Sequence, residues 1–277
     1  MIVVVCADKG SPGVTTLSVA LALAWPGETV LLEADPAGGD LSLLLRQPGT
    51  KHPLAVEPTT LSLATDVRSG AFSAARLPGY AQGTSLGIAV IPGPETAEAW
   101  TPMQHLWEPV VAALQQVSGT VIVDLGRLHG QHPGWAFLDA ADHVLILTKA
   151  TLTGLFHARE RAWQVAERLG QAPVTDASHS RVKAVVRAGN KAKGALHEVG
   201  QVLRGVVPVV GGIADDEAGV KAMLAGTDHA TRPRMALMRS AVSLVERIQR
   251  ARPVPEAPAA TAAATTPARV RRLRAEP

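Results

Sequence analysis

The sequence has 277 residues, of which 47% are hydrophobic, 18% charged and 3% aromatic. At ~150 residues per domain this length fits one large domain or two small ones, and the apolar content excludes a chain that is disordered throughout. The net charge is only +3, from 27 basic and 24 acidic residues, so it gives no case for a basic nucleic-acid-binding domain.

The single cysteine, Cys6, excludes a disulfide within one chain and a zinc site built from several cysteines. It fits a reducing, cytoplasmic setting. No apolar stretch reaches the ~18 residues that a membrane-spanning helix requires. The apolar start of the chain lacks the basic residues of a signal peptide, so it is interpreted as a first strand.

Short apolar runs alternate with helical patterns along most of the chain. Strands are predicted at 2–6, 29–34, 86–93, 120–126, 143–150, 181–189 and 206–216. Helices are predicted at 14–24, 41–46, 60–76, 101–117, 151–170, 191–204, 217–225 and 233–250, with a loop at 78–85 and a kink at Pro109. Strands that are apolar throughout favour a doubly wound α/β fold, in which helices cover both faces of a mostly parallel sheet.

The composition changes at Pro253, where a stretch rich in Pro, Ala and Thr begins and ends in the basic run RVRRLR. We therefore predict a folded domain at 1–252 and a disordered tail at 253–277. The basic end has two interpretations. It is a solvated tail, or it makes a weak electrostatic contact with DNA or with an anionic membrane, as a peripheral protein would.

The strongest signal is a glycine-rich turn between the first predicted strand and the first predicted helix, Lys9-Gly10-Ser11-Pro12-Gly13-Val14-Thr15-Thr16. Such a turn directs backbone N–H groups and the positive end of the helix dipole at one point, which favours a bound phosphate. The usual phosphate loop is G-x-x-x-x-G-K-[ST], in which the lysine reaches the phosphates and the hydroxyl binds Mg²⁺. Gly13 and Thr15 fit this pattern, but Val14 stands in the place of the lysine.

This loop resembles the deviant phosphate loop KGGxGKTT of the MinD/ParA group of P-loop ATPases, and Lys9 matches the extra lysine that opens that motif. LLEADPAGGDLS resembles the D-x-D-P motif of the group, with Glu33 in place of the first aspartate and Asp35 in place of the second. VIVDLG resembles the Walker B strand and ends at Asp124. VKAVVRAGN resembles a segment that frames the base, with Arg187 in place of an asparagine.

The resemblance covers roughly residues 1–250 and implies a P-loop NTPase fold that binds ATP and Mg²⁺. It implies nucleotide contacts from the whole loop and from a more distant arginine, namely Lys9, Gly10, Ser11, Pro12, Gly13, Val14, Thr15, Thr16 and Arg187. It also implies that Mg²⁺ is held through Thr15, Asp35 and Asp124. As catalytic residues it implies Asp35, which would position the attacking water, and Lys9, which would reach phosphates across a dimer interface.

The departures from the motif bear on activity. Val14 removes at least one charge-assisted hydrogen bond worth ~1.5–3 kcal/mol, which corresponds to about 10- to 150-fold in affinity. Pro12 lacks an N–H group, and Ser11 puts a Cβ where the family has glycine. The sequence therefore predicts weakened nucleotide binding and hydrolysis, and it leaves open whether the chain is an enzyme.

Two functions remain open. One is a nucleotide-dependent dimerisation switch in DNA partition, in division-site placement or in the positioning of pilus or secretion machinery. The other is a pseudo-ATPase adaptor that keeps the fold as a scaffold for protein partners without turnover. A dehydrogenase is disfavoured because the first turn lacks G-x-G-x-x-G. The loop with His129 and His132 is interpreted as a polar surface loop. Arg187, Asp215 and Asp216 each have two interpretations, contact with the base or a surface loop, and the residues themselves favour the surface loop.

Overall fold

The computed structural model describes residues 1–10, 12–171, 179–189, 192–226 and 232–250. Ser11 and the predicted tail 253–277 lie outside the described residues, so the expectations for them stay predictions. Among the described helices, none combines the length and the apolar character needed to cross a bilayer.

The described strands form one eight-stranded sheet, in the order β3–β4–β2–β5–β1–β6–β7–β8. The strands are β1 (Ile2–Ala7), β2 (Thr29–Glu33), β3 (Gln82–Gly83), β4 (Ala89–Ile91), β5 (Thr120–Arg127), β6 (His143–Lys149), β7 (Val182–Ala188) and β8 (Val209–Ala214). Seven strands are parallel, and β3 pairs antiparallel with β4. The predicted doubly wound, mostly parallel sheet is confirmed.

Ten α-helices are assigned within the described residues. They are α1 (Val14–Ala24), α2 (Leu41–Leu44), α3 (Thr60–Ser69), α4 (Ala97–Trp100), α5 (Trp107–Leu114), α6 (Trp135–Ala140), α7 (Leu152–Arg168), α8 (Ala192–Val202), α9 (Glu217–Leu224) and α10 (Ala236–Arg250). Short 3-10 turns lie at Ala74–Gly79, Thr101–Leu106 and Arg232–Arg234.

The sheet separates two apolar cores, and the alternation along β1 shows this directly. Ile2, Val4 and Cys6 pack into one core with side chains of α3 to α8. Val3 and Val5 pack into the other core with side chains of α1, α2, α9 and α10. Because both faces of β1 are covered, the strand is apolar throughout, as parallel strands between two helical layers are.

Three predicted segments differ from the structure. The predicted helix at 101–117 is divided into a 3-10 turn and α5, since Pro109 cannot continue a regular helix and is accommodated in the first turn of α5. The predicted helix at 60–76 ends at Ser69, where Gly70 adopts φ 75° as a C-cap. The predicted loop at 78–85 contains β3, which is too short for an apolar pattern and is held by Gln82, whose amide donates to the carbonyl of Pro58 at 2.8 Å.

A lysine and a histidine are buried together at the amino ends of β6 and β7. Lys183 is fully buried, and its ammonium donates to Nδ1 of His143 at 3.0 Å and to the Ser180 carbonyl. This bond leaves the ring proton of a neutral His143 on Nε2. Burial, together with the Lys183 charge, lowers the pKa of His143 to about 3. The imidazole therefore stays neutral in the folded protein at physiological pH.

We expect His143 to make the fold sensitive to mild acid. Between pH 7 and pH 5 the unfolded histidine takes up a proton that the folded site refuses, so this residue lowers the free energy of unfolding by about 2 kcal/mol at pH 5. Urea denaturation at both pH values should show a smaller acid-induced loss in His143→Gln than in the wild type. Equal losses in the two proteins would contradict this account.

Candidate nucleotide-binding site at the carboxyl edge of the sheet

The glycine-rich turn connects the end of β1 to the start of α1. Gly10 and Gly13 have φ values of 89° and 97°, in the region that disfavours any side chain, and Gly13 is the N-cap of α1. The carbonyl of Gly13 accepts the first hydrogen bond of the helix, from Leu17 N at 3.0 Å. The local conformation therefore brings the amino end of α1 to the loop, as the sequence predicted.

Val14 begins α1 and its side chain is directed into the apolar core rather than over the loop. It is 7% exposed and packs in the core cluster of α1 and α10. Lys9, by contrast, is exposed, and no acidic side chain of the described residues forms an ion pair with it. The first turn of α1 therefore has no cation of its own at the usual position.

Asp124 and Thr15 meet beneath the loop. Asp124 is fully buried on β5, in register with Val5 of β1 and Glu33 of β2. Its Oδ1 accepts from Gly126 N at 3.0 Å, but its Oδ2 accepts no hydrogen bond from any described residue. Burial, reinforced by the Glu33 charge, raises the pKa of Asp124 to about 7, while Thr15 and Gly126 oppose the rise.

Glu33, which stands in place of an aspartate, acts as a clamp between two loops. Its Oε1 accepts from the backbone N–H groups of Asp40 at 2.8 Å and Leu41 at 3.0 Å, and its Oε2 accepts from Gly93 N at 2.8 Å. Burial raises its pKa, whereas these three bonds act to lower it. A Cβ on Gly39 would lie 2.5 Å from Oε2, so the chain passes too close for any side chain. The carboxylate thus fixes the loop that carries Asp35.

Asp35 follows β2 and lies against the end of β5. Its Oδ1 accepts from Ala37 N at 2.9 Å, a local turn that holds the carboxylate. A Cβ on Gly126 would lie 1.8 Å from Asp35 Oδ2, and Gly126 has φ 59°, so only glycine fits there. Burial raises the pKa of Asp35. The two predicted Mg²⁺-linked carboxylates, Asp35 and Asp124, therefore belong to one cluster.

Arg187, which the resemblance placed near the base, lies against the glycine-rich loop between β1 and α1. Its Nη1 donates to the Pro12 carbonyl at 3.1 Å, and a Cβ on Gly13 would lie 3.5 Å from the same atom. Its Nε and Nη2 both donate to Oδ1 of Asp215, at 3.0 and 2.6 Å. A cavity of about 130 Å³ adjoins this arginine and the loop. Asp215 is thus the ion-pair partner of Arg187, a role that its interpretation as a surface-loop residue did not anticipate.

Further charged side chains at this edge were not predicted. Lys149, at the end of β6, donates to the Gly10 carbonyl at 3.2 Å. Asp8 accepts from Arg161 Nε at 2.8 Å and contacts His157 at 3.3 Å, and its carbonyl accepts from Arg127 Nε at 2.8 Å. No sequence motif marks these residues, because local sequence patterns do not predict the strand order that brings β6 and α7 beside β1.

The prediction that His132 lies in a polar surface loop is wrong, because the side chain is buried. It is 2% exposed, its Nδ1 accepts from Gly134 N at 2.9 Å, and its Nε2 therefore donates to the Leu125 carbonyl at 3.1 Å. Burial lowers its pKa to about 4. Asp216 likewise has a structural role as the N-cap of α9, where it accepts from Gly219 N at 2.8 Å. Both residues hold chain segments in place.

The residues present fit a magnesium nucleotide better than a metal ion held by protein side chains alone. Within the described residues no three His, Cys, Asp or Glu side chains converge to hold a metal ion. Mg²⁺ is usually held by one or two carboxylates together with phosphate oxygens and water. The unpaired Oδ2 of Asp124, beside Thr15, supplies the carboxylate ligand, and the loop above it suits the phosphate oxygens.

Comparison with solved structures agrees with this architecture. A ParA family ATPase from Chlorobium tepidum TLS superposes with a TM-score of 0.67 at 18% identity, covering 88% of this chain and 98% of that one. The septum site-determining protein MinD from Pyrococcus horikoshii OT3, complexed with Mg-ADP, gives 0.65 at 17% identity, covering 89% and 95%. Cyanothece McdA in complex with ATP gives 0.61 at 18% identity, covering 90% and 96%.

The chain therefore has the P-loop NTPase fold of these solved MinD and ParA ATPases, to which it is similar in structure. No protein-family model matches the sequence, and no curated protein matches it significantly. At such low identity the likeness establishes the fold, and the chemistry has to be argued from the site itself.

Replacing Glu33 with glutamine should destabilise the fold by about 1–3 kcal/mol. The amide leaves at least one of the three clamped backbone N–H groups without an acceptor. Urea denaturation measures this loss, with Glu98→Gln on the exposed surface of α4 as the matched control. If the two variants unfold at the same urea concentration, Glu33 does not clamp the loops.

Replacing Asp124 with asparagine should stabilise the apo protein at pH 8 by roughly 1–3 kcal/mol, because it removes a buried carboxylate with an unpaired oxygen. Urea denaturation without Mg²⁺ or nucleotide measures this. Asp139→Asn, which breaks an exposed pair with Arg168, is the control and should cost at most about 1 kcal/mol. A loss of stability in Asp124→Asn would show that the carboxylate is a structural group.

Proposed function

We propose that this chain is a nucleotide-dependent dimerisation switch that binds Mg-ATP weakly and hydrolyses it slowly. The observation that carries the proposal is the buried Oδ2 of Asp124, which has no partner among the described residues and lies beside Thr15 under the phosphate loop. An unpaired buried carboxylate oxygen costs stability, and a bound cation removes that cost, which favours a cation site here.

In the proposed switch each residue has a separate task. The backbone of residues 9–16 surrounds the phosphates, while Thr15 and Asp124 hold Mg²⁺, Asp124 directly or through water. Asp35, fixed against Gly126, positions and polarises the attacking water. The bound Mg²⁺ supplies neutralisation of the phosphate charge that grows on bond cleavage. Because Val14 contributes no charge, we expect both affinity and rate to be low.

The exposed Lys9 is assigned to a second copy of the chain. It points away from the core and pairs with no described acidic group, so it is available to reach phosphates held by a partner subunit. In this scheme the ATP-bound dimer engages a protein partner, and hydrolysis releases it. One solved neighbour is a septum site-determining protein and another a putative plasmid partition protein, which supports a positioning role in division-site placement or partition. Placement of pilus or secretion machinery is a further form of the same proposed role. We place the protein in the cytoplasm, with the basic tail as a weak contact to an anionic membrane or DNA.

The buried position of Val14 favours a second candidate, a pseudo-ATPase adaptor. A side chain that is 7% exposed and packed in the core contributes to folding and not to phosphate binding. In that case the fold serves as a scaffold for protein partners and nucleotide is dispensable. The two candidates differ in whether ATP changes the assembly state.

Sedimentation velocity with and without Mg-ATP distinguishes the two candidates. The switch predicts a monomer that becomes a dimer with ATP and not with ADP, and it predicts that Lys9→Ala stays monomeric while still binding ADP. Lys51→Ala, another exposed loop lysine, is the matched control and should dimerise normally. An assembly state that ignores nucleotide in every variant would favour the adaptor.

A further inference from the structure

The two unusual residues of the site lie next to each other in space. Val14 begins α1 without a charge, and Arg187 comes from the end of β7, far away in sequence. Nη1 of Arg187 is nevertheless 3.1 Å from the Pro12 carbonyl and 3.5 Å from the place of a Cβ on Gly13. The guanidinium therefore lies at the loop whose own cation is missing.

The contacts of Arg187 leave it able to bind an anion. Its guanidinium has five N–H groups, of which three are engaged by Pro12 and Asp215 within the described residues. One N–H on each terminal nitrogen remains, and this fork matches phosphate oxygens in geometry. The side chain is 31% exposed, so a ligand in the loop can reach it from solvent.

A second observation places a ligand at this loop independently of the arginine. The Oδ2 of Asp124 is fully buried and has no hydrogen-bond partner among the described residues, and Thr15 on the first turn of α1 interacts with the same carboxylate. The carboxylate oxygen on one side of the loop suits a metal cation. The partly free guanidinium on the other side suits the negative charge of a phosphate, so together they suit a metal phosphate. Neither residue is explained as well by packing alone.

We propose that Arg187 supplies to the phosphates of a bound nucleotide the positive charge that Val14 does not. The inference rests on the proposed function and deepens it, because it assigns to Arg187 the charge that the missing lysine would supply. Asp215 holds the guanidinium beside the loop in the absence of nucleotide and competes with phosphate for it. Arg187 thus contacts phosphate rather than the base.

The test measures the affinity of the full chain for the fluorescent nucleotide mant-ADP with Mg²⁺. Arg187→Ala should weaken binding about 10- to 150-fold, the value of one charge-assisted bond, whereas Arg187→Lys should lose less. Arg204→Ala, an exposed arginine before β8 at the opposite edge of the sheet, is the matched control and should bind as the wild type does.

The competing carboxylate gives an effect of opposite sign. Asp215→Asn should tighten mant-ADP binding about two- to fivefold, as expected when a half-exposed ion pair no longer holds the guanidinium. Melting curves identify any variant that fails to fold. If Arg187→Ala does not fold, Arg187→Lys and Asp215→Asn still decide the question.

The outcomes separate this inference from the proposed function. If the wild type binds and Arg187→Ala binds equally well, the arginine is not the phosphate cation while the switch remains. If Arg187→Ala weakens binding but Asp215→Asn weakens it too, the ion pair acts only as a structural brace and the inference is wrong. If the wild type binds no mant-ADP at millimolar concentration, both proposals fail.

Discussion

The burial of β1 between two helical layers is the constraint on which the site depends. Its side chains alternate between two cores, so the strand cannot shift by one residue without exchanging its faces. The parallel neighbours β5 and β6 are held in register with it. As a result, the loops that follow β1, β2, β5, β6 and β7 converge at one edge of the sheet, where open α/β folds bind ligands.

Two buried carboxylates at this edge of the sheet differ in how their oxygens are satisfied. The buried carboxylate of Glu33 is satisfied by three backbone amides, and it serves to fix the loop of Asp35. Asp124 is buried as deeply but keeps one oxygen unpaired. This contrast supports a structural role for Glu33 and the proposed cation-binding role for Asp124, because only Asp124 leaves a cost that a cation can remove.

The positive charges show a complementary pattern. Val14 occupies the position of the usual lysine and packs in the apolar core. Lys149 and Arg187 approach the loop from the ends of β6 and β7. Both donate to loop carbonyls, so they stabilise the turn and lie within reach of an anion in it. Positive charge thus lies beside the loop although the usual lysine is absent, as the proposed phosphate site requires.

Much of the fold was predictable from local patterns. Apolar runs and glycine-rich turns located the strands and the turn between β1 and α1. The placement of Thr15 and Asp124 beside that turn follows from the same patterns, while their binding roles stay predictions. The partners of Arg187 and Asp8 were not predictable, because they depend on which strands become neighbours. His132 was misjudged for the same reason: a polar loop looks exposed in sequence until the carbonyl that its ring contacts is known. Pro109 shows the opposite case, in which a recognised local signal acted more strongly than expected and divided a helix.

The most direct test of the account is a calorimetric titration of the wild-type chain with ATP, with and without Mg²⁺, at fixed salt. We expect saturable one-site binding that strengthens when Mg²⁺ is present, because the unpaired oxygen of Asp124 then has its cation. No heat of binding up to millimolar ATP under either condition would contradict it, and the loop would then be a structural turn in a scaffold protein.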